Sequence, residues 1–259
     1  MAVIKMNFLS QALGMQTNVT ICLPSASFAD RMSGREEVYV PGMKYQVLWL
    51  LHGGLGDDSD YVNFSNIVRY ADDHKLAVVM PADFNAGYTD DPGEMAPKYF
   101  TYVVEELPKL CRAFFPFSDK REDNFVGGLS MGGGGTFKIA MLYPERYAAA
   151  ICMSGAGQDP SIPGPVFNPR PDDGLDPWGA AAKNVAEGKP LPKFYLNVGT
   201  EDMTMEPVRH TRDYLVGLGY DVTYEEVPGY GHEWDLWDLT LRKTIKEWLP
   251  IRHSAIYPE

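Results

Sequence analysis

The sequence predicts an α/β fold, a mostly parallel central sheet flanked by helices. Three observations carry this. Short apolar runs bounded by Gly or Pro recur along the 259 residues and read as strands. Stretches of helical spacing lie between them, and strands alternating with helices build parallel sheets. Some of the runs are almost uninterrupted in apolar residues, as strands covered on both faces are.

Taken in order, Val19–Leu23 lies ahead of the main alternation and is expected in an antiparallel edge. Tyr45–Leu51, Leu76–Met80 and Ala148–Met153 are the nearly continuous runs and read as central strands. Phe125–Gly127, Phe194–Val198 and Val222–Val227 complete the sheet. Helices are expected over Tyr61–His74, Lys98–Phe115, Met131–Leu142, Pro207–Leu218 and Glu233–Leu249. Gly157–Pro192 breaks the rhythm with Pro160, Pro163, Pro165, Pro169 and Pro171, and a short helical stretch near Ala180–Glu187. Long irregular insertions in compact domains are usually functional. The segment at about 157–192 is therefore expected to be a short cap insertion beside the active site, within one domain spanning 1–259.

Composition bounds the function. The 23 Lys and Arg against 35 Asp and Glu leave a net charge of −12, the wrong sign for a nucleic-acid partner. No apolar run approaches the ~20 residues of a membrane span, and the N-terminus lacks a signal-peptide pattern. Cys22, Cys111 and Cys152 are far apart and read as buried free thiols in a reducing, cytoplasmic setting. The five histidines show no H-x-x-x-H spacing, so neither a metal nor a cofactor is expected.

The sharpest motif is Gly128-Leu129-Ser130-Met131-Gly132. It fits G-x-S-x-G, a strand–turn–helix that presents a serine nucleophile. The glycine run Gly132–Gly135 lacks the Gly-Lys-[Ser/Thr] ending of a phosphate loop. A serine needs a base. His232, in Gly229-Tyr230-Gly231-His232-Glu233-Trp234, lies between the last strand and the last helix, where the base of such a site comes in chain order. His52, His74, His210 and His253 are poorer candidates. The orienting carboxylate is expected in Asn197-Val198-Gly199-Thr200-Glu201-Asp202, beyond a strand's C-terminal end. Asp202 is preferred, with Glu201 as the alternative; Asp159, Asp172, Asp173 and Asp176 read as solvated. Leu51-His52-Gly53-Gly54-Leu55-Gly56 has the form of an oxyanion loop. Met131, after the nucleophile, would supply the second N–H.

Four motifs in this order resemble the esterase D group of the α/β-hydrolases, which includes tributyrin, feruloyl and acetyl-xylan esterases and S-formylglutathione hydrolases. The resemblance rests on L-L-H-G-G at Leu50–Gly54, G-G-L-S-M-G-G at Gly127–Gly133, G-T-E-D at Gly199–Asp202 and G-H-E-W-D-x-W-D at Gly231–Asp238. It implies a triad of Ser130, Asp202 and His232, an oxyanion hole of Gly54 and Met131, and dimers or higher oligomers. The last motif looks more like the tributyrin and feruloyl esterase branch. Leu55, Phe167, Trp178, Met203 and Trp234 are the candidate substrate-binding residues, with Met131 and Trp237 as further apolar lining. Trp234 and Trp237 are three apart and share a helix face.

The expected function is a serine carboxylesterase acting on small-molecule or oligosaccharide esters, with a short or hydroxycinnamoyl (feruloyl) acyl group, as on plant polysaccharides. An S-formylglutathione hydrolase-like thioesterase, an acyltransferase and a non-catalytic binding module are the alternatives.

Overall fold

The computed structural model describes residues 1–26, 28–32, 38–157, 159 and 172–258. The strands are β1 (Ala2–Ser10), β2 (Met15–Leu23), β3 (Val47–Leu51), β4 (Ala77–Pro81), β5 (Asn124–Leu129), β6 (Ala149–Met153), β7 (Lys193–Gly199) and β8 (Val222–Val227). They form one sheet in the order β1-β2-β4-β3-β5-β6-β7-β8. The β1–β2 and β2–β4 pairs are antiparallel and the rest are parallel. The expected strands are all present, and β2 lies in the expected antiparallel region. The outermost strand, β1, was not anticipated. Its signal is an alternation in which Val3, Lys5, Asn7 and Leu9 face outward and Ile4, Met6 and Phe8 pack inward.

The central strands are buried on both faces. In β3, Val47, Trp49 and Leu51 belong to the core on one face of the sheet, and Leu48 and Leu50 to the core on the other. In β6, Ala150 and Cys152 divide from Ala149, Ile151 and Met153 in the same way. This is why these runs read as continuous in the sequence. β8 is the opposite edge, only half-buried and carrying Glu225 and Glu226, charges that discourage pairing with another chain.

The helices are α1 (Phe28–Met32), α2 (Asp60–Phe64), α3 (Ile67–Asp73), α4 (Tyr99–Thr101), α5 (Leu107–Phe114), α6 (Met131–Leu142), α7 (Pro177–Ala186), α8 (Met205–Leu218) and α9 (Trp234–Lys243). Two departures from expectation have local causes. The helix expected over Tyr61–His74 is broken into α2 and α3. Ser65 turns extended, its Oγ donates to the Tyr61 carbonyl at 2.6 Å, and the Asn66 N–H leaves the helix for Asp238 Oδ1 at 2.7 Å. The helix over Lys98–Phe115 is continuous but widens to a π-helical turn at Tyr102–Glu106. Pro108 has no N–H to offer the Val104 carbonyl, and Arg146 Nη1 donates to that oxygen instead, at 2.8 Å.

Residues 158 and 160–171 of the expected cap, Phe167 among them, lie outside the described residues. The described second half is tied to the body of the domain. α7 is capped by Asp176, which accepts the Gly179 N–H at 2.8 Å. Its Trp178 and Ala181 enter the core beneath α6 and α8. Asp173 is paired with Lys138 of α6, and Asp159 with His210 of α8. These carboxylates were expected in solvent; they tie the segment to the body.

Candidate active site

Parallel strands bring their C-terminal ends to one edge of the sheet, and every candidate catalytic residue follows such an end. Ser130 closes β5 and caps α6 with φ 52° and ψ −116°. This left-handed strain is held by the Ser130 N–H donating to the Met153 carbonyl at 2.8 Å and by the Gly134 N–H donating to the Ser130 carbonyl at 3.1 Å. Close approach explains the flanking glycines. A Cβ on Gly128 would lie 2.4 Å from the Gly132 carbonyl oxygen, and one on Gly132 would lie 2.2 Å from that of Leu51. The serine can therefore stand at the N-terminus of α6, where the helix dipole favours developing negative charge.

The loops after β7 and β8 are laced together. The Glu201 N–H donates to the Tyr230 carbonyl at 3.0 Å, Thr200 N–H to the Val227 carbonyl at 3.1 Å and Gly229 N–H to Thr200 Oγ1 at 3.0 Å. This lacing sets Asp202 against His232. His232 Nδ1 is 3.0 and 3.1 Å from the two Asp202 oxygens, and His232 Nε2 is 2.9 Å from Ser130 Oγ. The order of contacts is that of a serine, a base and an orienting acid. Glu201 is exposed and its main chain serves the lacing, so the structure brings Asp202 to the base and not Glu201.

Burial alone would raise the Asp202 carboxyl. Hydrogen bonds from His232, the Thr204 N–H (2.8 Å) and the Thr204 hydroxyl (2.7 Å) outweigh it and hold the group down at about 2. It is a carboxylate throughout the working range of any such site.

The loop after β3 is shaped by His52. Asp83 N–H donates to His52 Nε2 at 2.9 Å, so the ring proton sits on Nδ1 and is donated to the Gly53 carbonyl at 2.7 Å. Burial pushes the ring below its ordinary imidazole value. Tyr88 OH donates to the His52 carbonyl at 3.0 Å. The Leu55 N–H is taken by Asn85 Oδ1. Gly54, between these anchors, is exposed on the loop.

The chain matches the Esterase family over residues 10–247. It is 30% identical over 269 aligned residues to an acetyl esterase of Caldicellulosiruptor saccharolyticus, covering 96% of this chain and 98% of the relative. The chain belongs to the esterase family. Among solved structures, this esterase is similar to the substrate-bound fluorophosphonate-binding serine hydrolase F of Staphylococcus aureus, with a TM-score of 0.80 and 30% identity over 96% of this chain and 98% of that one. It is also similar to an S-formylglutathione hydrolase of the same organism, with a TM-score of 0.78 and 28% identity over 96% and 98%. The fold is that of the α/β-hydrolases.

The residues expected to line the esterase's substrate site divide. Leu55 is 94% exposed and Met203 67% exposed. Trp234 is half-buried and packs edge-on against Tyr61 and Trp237, with ring centres 5.4 and 5.3 Å apart, and against Phe64 at 5.3 Å. Trp178 corrects the expectation. It is buried between Phe137 and Tyr214, with ring centres 4.9 and 4.8 Å away, because α7 packs onto α6 and α8. Trp237 also turns inward. It stands edge-on to the His232 ring at 5.0 Å and donates its Nε1–H to Ser154 Oγ at 2.9 Å.

Ser154, Asp83 and Asn85 belong to the support of the site and were not singled out from the sequence. The expected strand ends at Met153 and Met80 were legible and could have flagged the residues following them. Among the described residues, no three His, Cys, Asp or Glu side chains converge as a metal site, and no helix is long and apolar enough to cross a membrane.

Proposed function

We propose that this esterase hydrolyses neutral carboxylic esters with short acyl groups, acetyl foremost, through an acyl-enzyme on Ser130. The observation that carries the reading is the hydrogen-bonded series Ser130 Oγ, His232, Asp202. His232 Nε2 accepts the Ser130 proton as Oγ attacks the ester carbonyl, and Asp202 stabilises the imidazolium. The N–H groups of Gly54 and Met131 receive the oxyanion, an arrangement in which one donor is worth about 100- to 1,000-fold in rate. His232 then protonates the departing alcohol. A water deprotonated by the same ring releases the acid and restores Ser130.

The short acyl group is favoured by two facts. The relative matched along nearly its whole length is an acetyl esterase, and Trp178, a flat surface for a hydroxycinnamoyl group, belongs to the core. Glutathione carries net negative charge. Exposed Glu201, Glu233 and Asp235 flank the proposed acid and base in the chain, which disfavours its thioesters. Three buried, unpaired cysteines support a cytoplasmic setting, and the one sheet running from β1 to β8 supports a single domain.

The test is turnover of p-nitrophenyl acetate, p-nitrophenyl butyrate, methyl ferulate and S-formylglutathione, with Ser130→Ala as the blank. Acetate should lead. A lead for S-formylglutathione or ferulate would overturn the short-acyl assignment while leaving the serine chemistry in place.

A further inference from the structure

The loops after β3 and β4 meet at Gly54, and side chains fix the peptide on each side of that glycine. Gly53 packs against the nucleophile turn. A Cβ on it would lie 2.4 Å from Leu129 Cδ1 and 3.5 Å from Ser130 Cβ, so the peptide that follows lies beside the nucleophile. Its carbonyl, on Gly53, accepts the His52 Nδ1 proton at 2.7 Å. A trans peptide carries its N–H opposite its C=O. The same bond therefore sets the direction of the Gly54 N–H.

The next peptide is held from its other end, where the Leu55 N–H donates to Asn85 Oδ1. Leu55 has a left-handed φ of 66°, which a leucine adopts only under constraint. Its side chain is 94% exposed, so packing does not impose that conformation. The bond to Asn85 does. Asn85 is itself firmly placed, within residues 83–88, where Phe84, Asn85 and Tyr88 have φ of 44°, 63° and 53°. The Asp83 carboxylate accepts the Gly87 N–H at 2.7 Å and the Tyr88 N–H at 3.0 Å, and the Asp83 carbonyl accepts the Ala86 N–H at 2.9 Å. Residues other than glycine held in this way cluster at functional sites. The same loop also grips His52, through the Asp83 N–H to Nε2 and the Tyr88 hydroxyl to the carbonyl.

We propose that Asn85 is a positioning residue of the oxyanion hole. It holds the Gly54–Leu55 peptide as His52 holds the Gly53–Gly54 peptide, and the two anchors keep the Gly54 N–H aimed at the oxygen that becomes negative. A glycine without them rotates readily. The proposal rests on the reading of Ser130 as the nucleophile and of Gly54 as an oxyanion donor.

Asn85→Gly removes the acceptor with a residue suited to the left-handed backbone, and Asn85→Ala removes it with a Cβ retained. Both are assayed on p-nitrophenyl acetate and with trifluoroacetone, a ketone whose adduct with Ser130 would place an oxyanion in the same hole. In both variants kcat should fall roughly 10- to 30-fold through misaiming of one donor, with KM within about twofold. The Ki of trifluoroacetone should rise by the factor by which kcat/KM falls, because both report oxyanion binding. A side chain that only supports the fold would lower the melting temperature and leave the ketone's Ki unmoved, and one that touches the ester itself would raise KM.

Parental kcat in both variants, a loss confined to KM, or an unmoved Ki overturns the proposal. Two further variants separate its failure from that of the reading beneath it. Turnover that survives Ser130→Ala brings down the nucleophile. Gly54→Pro deletes the N–H itself, and parental turnover and Ki in it bring down the oxyanion donor. Loss of activity in Ser130→Ala and Gly54→Pro with parental kinetics in both Asn85 variants brings down the role of Asn85 alone.

Discussion

Asp202 and Glu201 are adjacent, and only Asp202 faces the base. The sequence could narrow the acid to this pair because both follow a buried strand. The choice within the pair depends on the Glu201 N–H being committed to Tyr230, a contact between loops that no local pattern reveals. Asp202→Asn should lower kcat by about 10,000-fold, through loss of the orienting carboxylate. Glu201→Gln should stay within a few-fold of the parent, and steady-state kinetics on p-nitrophenyl acetate decide between them. The pH dependence of stability follows with a definite sign. The Asp202 carboxyl is held below its ordinary value of 3.8, at about 2, so its contribution is fully present above the ordinary carboxylate range. It is lost as pH falls through about 4 towards 2. Asp202→Asn should therefore lose less stability than the parent across that window in denaturant melts. Ser154 was invisible to pattern reading for a different reason. A buried serine at a strand end has no signature until its indole partner is in place.

Elements were legible to the degree that one periodicity governed them. The buried parallel strands stood out because both faces are covered. β1 was missed because Lys5 and Asn7 on its outer face dilute the apolar signal. The single helix expected over Tyr61–His74 failed at Ser65, whose hydroxyl competes for a helical carbonyl. In α6 the four consecutive glycines look interchangeable in the sequence and are not. A Cβ at Gly132 would collide with the backbone of Leu51 and His52, whereas at Gly134 the nearest atom is 4.0 Å away. Gly132→Ala should cost about 3 kcal/mol or more through overpacking and abolish activity by separating α6 from the oxyanion loop. Gly134→Ala should gain roughly 0.5–1 kcal/mol through helix propensity with activity retained. Thermal melts and p-nitrophenyl acetate turnover of the two variants check both expectations.

Across the whole molecule, one sheet edge gathers what the chain scatters over nearly two hundred residues. His52, Ser130, Asp202 and His232 follow β3, β5, β7 and β8, and parallel pairing alone makes those strand ends coincide. The sequence conveyed that gathering through motif order. It did not convey which aromatics face substrate, because Trp178 and Trp237 turn inward through packing between distant helices. The net charge of −12 fits a preference for neutral esters and excluded no fold. The central claim is that Ser130 carries the acyl group between ester and water. The most direct measurement is the mass of protein quenched during turnover of p-nitrophenyl acetate, followed by mapping of the modified peptide. A single acetyl group is expected on Ser130, absent from Ser130→Ala. An acetyl group located on another residue, or undiminished turnover by Ser130→Ala, would contradict it.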